Sequence, residues 1–388
     1  MKKETDNKIL FLFGFMVLLF WTSMYSYQPQ LSVYTGTLGA GIAMTGVILG
    51  SYGFTQMLVR LPLGILSDML KKRKLFVLLG NVFAVLSALG LYLARTPAAL
   101  LVFRCISGIA ASVWVVMTVM FSGYFPKEKS AEALSRLMIF NKLGCLSGMV
   151  LGGVLADAFS VKASFLLGIC TGLFALLLGL RLKEPDMAGV LPLNLRDLPS
   201  MLKNPRLLIF SIMALLIQVM EQGTTLGFVP KYAAELGADA SALGILSGAS
   251  IFGGMCASLM ISGWLLKRFS AGRIAVTGCI IFTVTAVLLP VLAKTVPLII
   301  LFQFLAGLGN SLCFVLLNGL AIRDFEGSRR GAAMGIFQAV YALGMFLGPL
   351  MTGFLADHFS ISASISLTGC TGILLILMGV CAFHGKKE

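Results

Sequence analysis

Charge is scarce in this sequence, and negative charge is the scarcer sign. Charged residues fill 12% of 388 positions, with 16 Asp and Glu against 30 Lys and Arg. A water-soluble domain carries roughly 25% charged residues, so a soluble globular fold is excluded. Ten-residue stretches that alternate apolar and polar are missing too, which removes a transmembrane β-barrel. Histidine is almost absent: His358 falls between apolar runs and His384 close to the end of the chain, so a histidine-based metal centre lacks ligands. The cysteines (Cys105, Cys145, Cys170, Cys256, Cys279, Cys313, Cys370, Cys381) lie inside apolar runs without C-x-x-C spacing. They read as buried free thiols, neither a disulfide framework nor a metal site. No G-x-x-x-x-G-K-[ST] occurs, so ATP is not the energy source. No cluster suits hydrolytic or redox chemistry; neither enzymatic activity nor a cofactor is expected.

What abounds is apolar sequence. Hydrophobic residues make up 58%, and mean hydropathy is +0.95. They gather in runs of about 20 or more, the length that crosses a hydrocarbon core of ~30 Å. Twelve helical spans are predicted, over 9–34, 41–66, 75–94, 98–124, 132–156, 161–180, 207–230, 241–266, 274–293, 297–321, 331–356 and 361–382. The opening MKKETDNK starts like a signal peptide, but the apolar run is long and no A-x-A-like site follows. A retained first span is expected.

The net charge of +14 does not point to nucleic acid, because the basic residues sit in short loops. With the N-terminus inside, the inner segments hold 22 Lys and Arg and the outer loops hold four: Arg95, Lys162, Lys231 and Lys294. That asymmetry places both termini in the cytoplasm of a cell (plasma or inner) membrane. Residues 151–180 align without gaps to 351–380, with 14 identities in 30. Tyr34–Phe54 recurs at Tyr232–Phe252, and LARTPAALLVFRCISG recurs as LAKTVPLIILFQFLAG. The offset of about 200 residues contains six spans, an even number, so the copies share one membrane orientation. The organisation expected is an N-terminal six-helix bundle (1–180), a cytoplasmic linker (181–206) and a C-terminal six-helix bundle (207–388).

Two parallel six-span halves with a charged middle loop resemble the major facilitator superfamily of secondary transporters. That family's loop between spans 2 and 3 reads G-x-x-x-D-R/K-x-G-R/K-R/K. Here Gly64, Asp68, Lys72 and Arg73 stand in place, while Met69 and Lys71 depart from it. Arg104-Cys-Ile-Ser-Gly108 in span 4 is similar to the family's R-x-x-x-G. In span 5 the exporter pattern G-x-x-x-G-P-x-x-G-G is matched by Gly144, Gly148, Gly152 and Gly153, but Met149 replaces the proline. The resemblance implies the transporter fold and alternating access. It also brings span 11 near span 2, so that Asp68 meets the free N–H groups at Gly331-Ala332-Ala333-Met334. Gly64, Asp68, Lys72 and Arg73 would then form a conformational latch. The simpler reading leaves Lys71, Lys72, Arg73 and Lys74 to set topology and bind anionic headgroups.

Charges within spans narrow the site. Arg104 sits ~9 Å inside span 4, and the resemblance implies proton coupling or substrate contact for it. Glu221 is the one acid deep in a span, with Gln218 and Gln222 on its face. Desolvation disfavours a lone charged carboxylate, so Glu221 is read as the proton or substrate site. The competing reading pairs it with Arg104 or Lys142 as a tie between halves. Arg60 is expected to snorkel to headgroups, and Pro62 to bend its span. Tyr25, Gln28 and Trp114 are candidate cavity residues. So are Asn141 and Lys142, and Asn310, Gln338 and Tyr341. Tyr34 reads as an interfacial aromatic. The function expected is proton-coupled efflux of small amphiphilic molecules by a monomer in the lipid bilayer. The alternative is a proton-coupled importer of a small polar metabolite such as a sugar or organic anion, which Lys142 and the missing span-5 proline favour.

Overall fold

The computed structural model describes residues 7–125, 129–185, 201–325 and 327–383, except for the side chains at positions 68, 130, 131, 327, 328, 330 and 331. Most of the 181–206 segment, the Asp68 carboxylate and His384 therefore lie outside the described residues. Twelve helices are long and apolar enough to cross a membrane. Spans 1 to 6 are Asn7–Thr37, Ile42–Ser67, Arg73–Leu93, Pro97–Ser122, Glu132–Ala158 and Val161–Leu180. Spans 7 to 12 are Pro205–Glu235, Ala240–Arg268, Ala271–Leu292, Val296–Ala321, Ala332–His358 and Ile361–Phe383.

Local chemistry sets the span starts. The Thr96 hydroxyl accepts from the Ala99 amide with Pro97 in the first turn, Asn204 accepts from Leu207 ahead of span 7, and Asp239 accepts from Ala242 ahead of span 8. Each satisfies a donor the helix leaves open. Leu151, Phe174, Leu177, Ile373 and Leu377 point outward and exposed, as an apolar girdle facing lipid requires.

Packing repeats the sequence repeat. Span 1 lies on 5 and 6, span 2 on 4, span 3 on 4 and 6, and span 5 on 6. In the second half span 7 lies on 11 and 12, span 8 on 10, span 9 on 10 and 12, and span 11 on 12. Across the halves, span 2 packs on span 11 and span 5 on span 8. Each of these pairings has its copy, though span 7 also packs on span 10 and span 1 on span 3 without a comparable counterpart, and these are two six-helix bundles related by a parallel repeat.

The halves meet most tightly at the end away from the basic loops. A Cβ added at Gly46 would lie 2.4 Å from the Pro349 carbonyl oxygen. One added at Gly153 would lie 2.8 Å from the Ala240 carbonyl oxygen and 2.8 Å from Gly244 Cα. Gln30 Nε2 donates to the Ala240 carbonyl at 3.3 Å, and the Ser241 hydroxyl to Asp157 at 3.0 Å. Tyr34, expected at the lipid interface, is instead buried and tilted against Phe165 of span 6 at 5.3 Å, because the outer piece of span 1 is packed between its own half and spans 7 and 8 of the other.

At the basic end, both Glu184 oxygens take backbone amides at the start of span 3, from Arg73 at 2.8 Å and Lys74 at 2.9 Å. The Tyr124 hydroxyl donates to the Lys183 carbonyl at 2.5 Å. Burial, then the nearby Glu184 carboxylate, pushes that hydroxyl well above its ordinary pKa, so it remains a donor. Arg206 pairs with Asp324 at 2.5 Å across the start of the second half.

The seams predict a conformational phenotype. Gly46→Val forces backbone apart and is expected to cost the sealed state about 1–3 kcal/mol. Spin labels at Leu38 and Leu236 report it: the long-distance population should grow, and an unchanged distance distribution would refute the seal.

Candidate functional site

Two interrupted helices frame the centre. Span 1 is helical over Asn7–Tyr25 and again over Gln28–Thr37, with Pro29 in the first turn of the second piece. Proline has no N–H, so the Tyr25 carbonyl loses its helical donor at this break. Span 7 widens into a π-helix over Glu221–Phe228. A Cβ at Gly227 would come 2.3 Å from the Gln222 carbonyl oxygen, so this wide turn needs glycine at that position. π-helical turns gather at functional sites, and this one starts on the only deep carboxylate.

Arg104 forms the centre of the arrangement. It is 2% exposed. Its guanidinium donates to Gln28 Oε1 at 2.7 Å and to the Ser107 hydroxyl at 3.4 Å, and lies 4.3 Å from the centroid of the Tyr52 ring. Met24, Tyr25, Gln28, Tyr52 and Arg104 from the first half share a small space with Gln222 and Leu226 from the second. Its volume of about 10 Å³ is near the room one water needs. Glu221, Arg104, Tyr52 and Cys145 all lie within electrostatic reach of Tyr25. Glu221 accepts from Gln218 Nε2 at 3.1 Å. Among the described residues no ion pair joins Glu221 to Arg104 or Lys142.

The remaining candidates divide by position. Trp114 stands edge-on to Trp21 at 5.6 Å, and Trp21 meets Tyr25 at 5.7 Å, an aromatic wall beside the Arg104 space. Asn141 and Lys142 are half-buried, one turn toward the basic end from buried Cys145. Gln338 and Tyr341 are also half-buried, on the basic side of the span 2–11 seam. Asn310 is buried in span 10, and nothing in the structure bonds its amide to the others. These half-buried candidates thus lie between the centre and the basic end, and the tightest main-chain contacts between the halves lie at the opposite end. Of the latch residues, Gly64 faces Val115 of span 4 at 3.7 Å from an added Cβ. Lys72 precedes span 3, and the Arg73 amide is held by Glu184.

Arg60 corrects a sequence-based expectation. It does not snorkel: it is 5% exposed. Its guanidinium donates to the Tyr341 hydroxyl of span 11 at 2.7 Å and to Gln56 Oε1, with the Tyr341 ring 5.6 Å away. The physical reason is that two neutral acceptors and a ring face draw the guanidinium inward, away from the headgroups. The helix also runs on through Pro62, unbroken over Ile42–Leu70. The repeated fragment pairs Arg104 with Gln303, which donates to the Thr225 carbonyl at 2.8 Å. The sequence signal for Arg104's acceptor, Gln28, was its place just before Pro29, where span 1 breaks.

Two polar-lined halves around a central space, closed at one end, are the frame of a secondary transporter. The profile of the Major Facilitator Superfamily matches residues 10–232 and 212–388, and the chain belongs to that family. It is similar to an uncharacterized MFS-type transporter of Methanocaldococcus jannaschii, 26% identical over 92% of each chain. It is also similar to the multidrug resistance protein MdtG of Escherichia coli, 26% identical over 92% of this chain and 88% of that one. Among solved structures, a bacterial homologue of the human lysosomal transporter Spinster, inward-facing and occupied, superposes with a TM-score of 0.79 at 14% identity, covering 98% and 97%. The nucleoside transporter NupG superposes at 0.77 and 16% identity, covering 99% and 100%. These likenesses extend the fold assignment over the whole chain.

Gln28→Leu strips an acceptor from a buried guanidinium and is expected to cost about 1–3 kcal/mol. Thermal melting of the purified protein in detergent should show it, with Gln28→Glu recovering most of the loss. Equal melting of Gln28→Leu and wild type would rule out the cradle.

Proposed function

We propose that the chain is a proton-coupled secondary transporter that exports small amphiphilic molecules by alternating access. The observation that carries this reading is the central space where Arg104 and Tyr25 of one half face Gln222 of the other, with Glu221 at the widened turn of span 7. Glu221 is the chain neighbour of Gln222, which lines this water-sized space, and a carboxylate so placed is a site that alternating access can load with a proton on one side and unload on the other. The aromatic wall of Trp21, Trp114 and Tyr25 supplies contact for an apolar body, with few polar groups to orient it. Similarity to a multidrug resistance protein over most of both chains supports the outward direction.

In the same reading the basic loops face the cytoplasm with both termini, the protein works as a monomer in the cell membrane, and residues 1–180 and 207–388 rock as units joined by the linker 181–206. The latch of Gly64, Asp68, Lys72 and Arg73 belongs to the state closed at the basic end. A second reading, import of a small polar metabolite such as a sugar or organic anion, is favoured by half-buried Lys142 and by Met149 in place of the exporter proline.

The test is Glu221→Gln in proteoliposomes with and without a pH gradient, using the fluorescent dye ethidium and a radiolabelled sugar as cargo. Gradient-driven dye movement should fall about 10-fold or more, the size of a lost general acid–base group or larger, while dye exchange at equal pH persists. Undiminished gradient-driven transport removes Glu221 from coupling. Sugar transport without dye transport favours the second reading.

A further inference from the structure

The repeat gives both halves one frame but not one charge. More than a turn and a half inside the spans, the described residues hold three cations, Arg60, Arg104 and Lys142, and one acid, Glu221. All three cations belong to the first half and the acid to the second. At the repeat offset, Arg104 becomes Gln303, Lys142 becomes Ala342, and Arg60 falls at Ser258 or Leu259. Arg104 lines the central space with Gln222 of the second half, the neighbour of Glu221, whereas Arg60 is bonded to Tyr341 of span 11.

Arg60 is the cation the transport reading leaves unused. It lies ~15 Å from the end of its helix at Leu70, at 1.5 Å per residue. Its partners are neutral: the Tyr341 hydroxyl and the Gln56 carbonyl oxygen. No carboxylate pairs with it among the described residues. Arg60 Nε and Gln56 Nε2 are buried donors with no partner at all. A desolvated guanidinium without a counter-ion is costly, and two idle donors beside it add to the cost. Both are relieved by one ligand group that carries negative charge and several acceptor oxygens. Behind Tyr341 the second-half core is aromatic: Phe314 and fully buried Phe337 stand edge-on to its ring at 5.5 and 5.7 Å, which leaves the half-buried Tyr341 ring as the aromatic face beside Arg60.

We propose that Arg60, Gln56 and Tyr341 form a subsite for the acidic group of an organic anion with an aromatic body. This rests on the transport reading and adds an acidic, aromatic class of cargo to it. A planar guanidinium meets a carboxylate or phosphonate through paired N–H donors, and Gln56 adds a third. The anion also competes with Tyr341 for Arg60. Since Arg60 stands on span 2 and Tyr341 on span 11, seating the anion removes a bond between the halves, and binding is linked to their separation at the basic end.

Calorimetry on the full-length protein in detergent tests it with four probes sharing one ring system: 2-naphthoate, 2-naphthylphosphonate, 2-naphthylmethylammonium and 2-naphthamide. The two acids should bind, and the ammonium and amide should not. Arg60→Gln should weaken acid binding about 10-fold or more. Tyr341→Phe, which removes the competing hydroxyl and keeps the ring, should tighten it about 3-fold or more. The second variant decides the matter if the first does not fold. Preference for the ammonium, absence of binding by both acids, unchanged affinity in Arg60→Gln, or unchanged affinity in Tyr341→Phe each overturns the subsite. Calorimetry needs no gradient, so failure of proton coupling at Glu221 shows up separately, in the proteoliposomes.

Discussion

A guanidinium in the middle of a helical bundle must have acceptors, because hydrocarbon offers none and an unsatisfied charge is costly. Arg104 meets that demand with Gln28, Ser107 and the face of Tyr52. Gln28 in turn sits at the first residue of the second piece of span 1. The break in that span, the seating of span 4 against span 2 and the position of Tyr52 are thus tied to one buried charge. Removing the charge would leave span 1 with an interruption that nothing uses.

The second half solves the corresponding problem without charge. Gln303 occupies the place of Arg104, and it reaches the Thr225 carbonyl, which the wide turn of span 7 presents. One frame therefore carries two kinds of centre, a fixed cation on one side and a titratable group on a loosened helix on the other. The main helix pairings that build the frame are duplicated. The chemistry is not.

Much of the frame was legible in the sequence. Hydropathy runs located the twelve spans to within a few residues, and the offset of about 200 gave the parallel halves, because both signals are repeated many times along the chain. Arg104 and Glu221 were legible as charges too deep to be incidental. Arg60 was misread, since depth alone does not say which way a long side chain turns. Its direction is decided by Tyr341, 281 residues away, and single-sequence reasoning contains no such pairing. Tyr34 was misread for the same reason, its partner Phe165 belonging to another span. The π-helical turn rests on the close approach of Gly227 to the Gln222 carbonyl, a contact that hydropathy and residue spacing do not reveal.

At the outer end the seams bring main chain against main chain, Gly46 on Pro349 and Gly153 on Gly244, while side chains such as Phe54 and Phe346 meet farther along. Main-chain surfaces of this kind part like smooth plates at those points, with no knob to draw from a hole. The barrier to parting there resides mainly in the few hydrogen bonds that cross the plates, such as Gln30 to Ala240 and Ser241 to Asp157. Opening and closing at that end is then a rigid displacement with little melting of the interior, and its rate is set by a handful of replaceable polar contacts.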